Sequence, residues 1–226
     1  RILKKQQRWI VLDEALHIIR LTALALDHAH KRGVLHRDMK PDNIMLKPQP
    51  SESLPYTPVV TDLGLAKLAS GGVATQEGTS MGTPAYMAPE QALGEKTDAR
   101  SDVYSLGVLL YELVCGKLPF PASTLSEAIR YHVKETPPPP HTVRPNIDPQ
   151  LEAVILKAME KDPNNRYPDA KSLADALQVV IEATPAVAEA DYKATTVEES
   201  PKPELERAAV SLVTQYQASL ESERGD

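Results

Sequence analysis

The segment from about Asp102 to Cys115, closed by Gly116, is apolar on nearly every side, with Val103, Leu106, Val108, Leu109, Leu110, Leu113 and Val114 spread around the whole helical wheel. A helix of that kind has no face to offer water and must be surrounded by protein. It is too short to cross a bilayer, which takes about 20 apolar residues, and it carries Glu112. The rest of the chain therefore has to wrap this segment as the central post of a helical domain. With 226 residues, 42% of them hydrophobic, there is enough material to do so.

The wrapping elements can be read in chain order. Asp13 is placed to cap a helix whose apolar stripe runs Leu16, Ile19, Ala23, Leu26 and His30, with Gly33 as its stop. Ile44–Leu46 and Pro58–Thr61 read as two short strands joined by a proline-containing loop, and a loop rich in Gly, Thr and Ser follows over 65–83. Further helices are expected over Ser123–Lys134, from the Asp148-Pro149 cap to Met159, and from Pro168 to about Ile181. The proline run Pro137–Pro140 must be extended. The expected class is mainly α with a short β-hairpin. Residues 182–203 turn to Ala, Thr, Glu and Pro and read as a disordered acidic linker. Residues 204–226 read as a short amphipathic helix, with Leu205, Ala209, Leu212, Tyr216 and Leu220 on one face, or as a disordered tail.

Charge excludes one broad class of partner. Residues 1–181 hold 21 acidic and 21 basic side chains, whereas 182–226 hold 10 and 4, so the net charge of -6 belongs to the tail. The balanced body lacks the basic excess of a nucleic-acid binder. The single cysteine, Cys115, fits a reducing compartment, and the cytoplasm is the expected location. The basic start Arg1–Arg8 is not followed by an apolar stretch and cleavage site of the secretory kind.

The residues that carry chemistry are His36-Arg37-Asp38-Met39-Lys40-Pro41-Asp42-Asn43, followed after the hairpin by Asp62-Leu63-Gly64. Each alone reads as a capped turn or a surface ion pair. Together, with a lysine two residues after the aspartate, an asparagine three further on and a second aspartate at a strand end, the set resembles the catalytic loop and metal-binding triplet of protein kinases. The later wording is similar to bacterial protein serine/threonine kinases of the eukaryotic (Hanks) type. Gly82-Thr83-Pro84-Ala85-Tyr86-Met87-Ala88-Pro89-Glu90 resembles the end of an activation segment, and Ser101–Gly107 the start of the kinase F helix.

The resemblance implies the C-terminal lobe of a kinase over residues 1–181, with ATP and Mg2+ as cosubstrate and metal. Asp38 would accept or orient the proton of a Ser or Thr hydroxyl, Lys40 would neutralise the transferring phosphate, and Asn43 and Asp62 would hold the metal. Lys40, Asn43, Met45 and Asp62 would contact the nucleotide. Asp102 would accept backbone amides of the catalytic loop, and Glu90 would pair with a buried Arg166. Arg37 would receive a loop phosphate on Thr75, Thr79 or Ser80, of which the first two are favoured by their distance from Thr83. No glycine-rich loop or strand lysine precedes His36, so the N-terminal lobe is expected to be missing, the fragment alone to be inactive, and the exposed apolar surface to favour dimerisation. Leu63 stands where phenylalanine is common and is expected to fill the same apolar slot. A whole protein could be membrane-anchored through a segment outside this sequence. Two other readings stay open: a kinase-like scaffold that binds partners without catalysis, and a small-molecule kinase of the antibiotic phosphotransferase type.

Overall fold

The first helix, α1 (Leu12–His30), buries Ala15, Leu16, Ile18, Ile19, Ala23 and Leu26 along one side and is left through Gly33 at φ 75°. This computed structural model describes residues 12–48, 56–63 and 84–183. The expected start at Arg1–Arg8, the loop holding Thr75, Thr79 and Ser80, and the expected linker and tail from 184 onwards lie outside the described residues. Asp13 falls within the first turn of α1 instead of capping it. There its charge still favours the helix N-terminus.

A 3₁₀ turn over Pro41–Asn43 leads into β1 (Ile44–Pro48), which pairs antiparallel with β2 (Tyr56–Val60) in the register Ile44 to Val60 and Met45 to Val59. Each strand is longer at its loop end than the sequence suggested, because the ladder continues through Lys47–Thr57 and Pro48–Tyr56.

After a 3₁₀ turn over Pro84–Tyr86 come the single-turn helix α2 (Pro89–Ala92) and the central α3 (Ala99–Cys115). Asp98, whose side chain accepts the Arg100 N–H at 2.9 Å, starts α3 three residues earlier than hydrophobicity alone indicated. Fourteen of its 17 residues are buried, which makes it the post that the rest of the domain surrounds. Its neighbours are α1, α5 (Pro149–Ala158) and α6 (Ala170–Ala183), while α4 (Leu125–Lys134) packs on α2. Thr124 and Glu127 form a reciprocal cap on α4, and Asp148 with Pro149 opens α5 as read from the sequence. The last helix starts two residues after Pro168, where Asp169 accepts the Ser172 N–H at 2.7 Å, and it runs on to Ala183. The proline run is extended through Pro139 and closes in a 3₁₀ turn over Pro140–Thr142.

Candidate active site

The site is built on one buried carboxylate. Asp102, in the first turn of α3 and 1% exposed, accepts the backbone N–H of His36 at 2.9 Å and of Arg37 at 2.7 Å. A third donor is His30 Nε2 on α1, 2.7 Å from Asp102 Oδ2. The sequence placed His30 in an apolar stripe; its role was not legible there, because only the fold brings it to a residue 72 positions away.

These bonds hold Arg37 at φ 62°. A left-handed conformation costs a non-glycine residue of order 1–3 kcal/mol and persists only where neighbours over-determine it. His36 is fixed on both ring nitrogens: Nε2 donates to the Thr61 carbonyl at 2.9 Å, and Nδ1 accepts the Asp38 N–H at 3.2 Å. The imidazole therefore carries its proton on Nε2.

Three of the residues singled out by sequence meet directly. Lys40 Nζ lies 2.8 Å from Asp38 Oδ2. Asn43, 4% exposed, donates Nδ2 to the Asp38 carbonyl at 2.7 Å and lies 3.4 Å from Asp38 Oδ2. That use of Nδ2 leaves the Asn43 amide oxygen as the atom offered to a cation. Asp38 itself is half-exposed, so its carboxylate is reachable from solvent.

The fourth, Asp62, is tied in through backbone. Thr61 donates its N–H to the Asn43 carbonyl at 2.9 Å and accepts from His36, so the residue before Asp62 is bonded to the loop on both sides. Asp62 is exposed and sits at φ 54°. Arg37 and Asp62 are the two positive-φ non-glycine residues among those described, and both border this site. Met45 lies on β1, 58% exposed, opposite Val59, which is 39% exposed. Leu63, the last described residue before 84, is 37% exposed.

Below the loop, Glu90 and Arg166 form a buried two-pronged ion pair, with Nη1–Oε1 and Nη2–Oε2 both at 2.8 Å. Burial opposes the Glu90 charge, but hydrogen bonds from Arg166 and Ser101 outweigh it and hold the carboxyl below its ordinary pKa. Tyr86 donates its hydroxyl to Glu112 on α3, and burial together with that carboxylate pushes the phenol up.

The sequence matches the protein kinase domain over residues 1–178. The chain belongs to the protein kinase domain family. This kinase domain is 45% identical over 158 residues to serine/threonine-protein kinase Pkn1 of Myxococcus xanthus, covering 70% of the present chain and 22% of that protein. It is 42% identical over 171 residues to pkn3 of the same organism, covering 73% and 31%. It is 41% identical over 168 residues to serine/threonine-protein kinase PknB of Mycolicibacterium smegmatis, covering 73% and 26%. The chain thus spans 22 to 31% of the length of these relatives. Among the described residues the architecture is mostly helical with a two-stranded antiparallel sheet, which is consistent with a piece of a kinase domain. No helix among the described residues is long and apolar enough to cross a membrane.

Proposed function

We propose that this chain is the C-terminal lobe of a protein serine/threonine kinase, serving transfer of the ATP γ-phosphate to Ser or Thr hydroxyls of protein substrates. The observation that carries the reading is the Asp38–Lys40–Asn43 contact set, with Lys40 Nζ 2.8 Å from the Asp38 carboxylate. In such a transfer little covalent help is needed; the protein orients the nucleophile and neutralises charge. Asp38 accepts the hydroxyl proton. The Lys40 ammonium is close enough to hold Asp38 in place at rest and to face a phosphate oxygen when one enters.

Magnesium fits the residues present. It prefers hard oxygen donors and takes one or two protein side chains, completing its shell with substrate phosphates and water. The amide oxygen of Asn43 and the exposed Asp62 carboxylate are donors of that kind. Bound there, it would neutralise charge on the phosphates. Met45 and Val59 form an exposed apolar pair on the sheet. In this reading the nucleotide base and a small N-terminal lobe cover that face, and the chain without such a lobe transfers phosphate poorly and tends to dimerise.

Arg37 supports regulation by phosphorylation, since its buried Nε has no hydrogen-bond partner among the described residues. A phosphate on the segment 75–80 is the anion that would meet it. The cytoplasm is the compartment in which such a site would work.

The test is transfer of label from [γ-32P]ATP with Mg2+ by this chain joined to a nucleotide-binding small lobe. Label on serine or threonine of a protein supports the reading. Label on an aminoglycoside alone, or ATP-independent partner binding with no transfer, contradicts it.

A further inference from the structure

Arg37 forms the strained link just before Asp38, and both ends of its backbone are held by side chains from other elements. Asp102 Oδ1 takes its N–H at 2.7 Å, and Gln91 Nε2 donates to its carbonyl at 2.9 Å. The same Gln91 amide turns Oε1 to the Ala88 N–H at 3.0 Å, at the start of α2. A backbone N–H only donates and a carbonyl only accepts, so the two partners admit one orientation of the amide. Gln91 is rooted in a fixed base, because its neighbour Glu90 is locked by Arg166 and by the Ser101 hydroxyl at 2.6 Å.

We propose that Gln91 is a positioning residue, whose amide clamps the Arg37 carbonyl and so fixes the direction in which Asp38 enters the site. What Asp38 does there rests on the kinase reading; the clamp itself does not. The Arg37 carbonyl and the Asp38 N–H belong to one planar peptide unit, so pinning the oxygen also orients the N–H. That N–H is the one bonded to His36 Nδ1 at 3.2 Å. If the peptide plane rotates, the carbonyl leaves Gln91, the Asp38 N–H leaves His36, and the carboxylate swings with its backbone. Through Gln91, the seating of α2 on Arg166 is transmitted to the reacting carboxylate.

The isosteric variant Gln91→Glu separates the two halves of the clamp. It keeps an oxygen for Ala88 and loses the donor to Arg37. Amide hydrogen exchange in the 226-residue chain, followed by NMR, reads the effect, with Leu109 and Leu110 inside α3 as references. At pH 7 the His36, Arg37 and Asp38 amides should exchange about tenfold faster in Q91E, the change one net hydrogen bond allows, while the references hold. Protection relative to the references should return near pH ~4, where the protonated carboxyl regains a donor. Gln91→Met should show the same loss without the recovery. Unchanged protection at 36–38 in both variants, or equal acceleration at Leu109 and Leu110, would overturn the clamp. With a nucleotide-binding lobe attached, kcat should fall by a similar factor with the KM for ATP unchanged; loss in KM alone would also overturn it. A wild-type chain that transfers no phosphate would remove the kinase reading and leave the exchange data to decide the clamp.

Discussion

Arg166 grips Glu90 from across the domain with two parallel hydrogen bonds of 2.8 Å, and its guanidinium also lies 4.9 Å from the centre of the Tyr104 ring. The same guanidinium donates to the carbonyls of Glu160, Lys161 and Arg100. One side chain therefore ties the end of the 84–90 segment to α3 and to the turn after α5.

Removing either partner leaves a charge in a site where water cannot reach it. Arg166→Met and Glu90→Leu should each cost on the order of 3–5 kcal/mol. The double variant should cost less than the sum, because neither charge is then stranded. Urea unfolding of the four proteins checks this, and additive losses would refute it.

Gly107 allows α3 and α5 to touch. A Cβ there would stand 2.8 Å from Ala158 Cβ and 3.0 Å from Met159 Cγ. Helix propensity alone favours Gly107→Ala by about 1 kcal/mol. Overpacking of a tight contact costs about 1–3 kcal/mol, and with backbone close behind Ala158 it should win. The melting temperature of G107A should fall, and Ala158→Gly should restore part of it. A higher melting temperature in G107A would show that the helices can separate at no cost.

His132 makes the fold sensitive to acid. Burial, and then the nearby Lys161 ammonium, hold its pKa down at about 4, against an ordinary 6.5. Its Nδ1 meets the Tyr104 hydroxyl at 2.9 Å, and Phe120 stands edge-on at 5.2 Å. The unfolded chain takes up the proton at higher pH than the folded one, so this contribution is whole above pH 6.5 and drains away as pH falls toward 4. Between pH 7 and pH 5 it amounts to about 2 kcal/mol. His132→Gln should flatten that part of the stability profile; an unchanged slope would assign the acid sensitivity elsewhere.

Much of the framework could be read in advance. The all-round apolarity of 103–114 dictated a central helix, and Asp148-Pro149 marked a helix start, because both signals are local. Hydrophobicity missed the first turn of α3, since Ala99–Ser101 are small or polar and their helicity comes from the Asp98 cap. The trio Asp38, Lys40 and Asn43 was legible because its members lie within one loop. His30 and Gln91 were not. His30 reaches Asp102 across 72 positions and Gln91 reaches Arg37 across 54, and only the folded chain brings either pair together.

The most direct test of the account is single-turnover transfer from ATP by the chain joined to a nucleotide-binding lobe, comparing the natural sequence with Asp38→Asn. The asparagine keeps the shape and the backbone bonds but cannot take the hydroxyl proton. The transfer step should slow by ~10²-fold or more, with ATP affinity little changed. Transfer at an undiminished rate in D38N would mean that the carboxylate beside Lys40 is not where the chemistry happens.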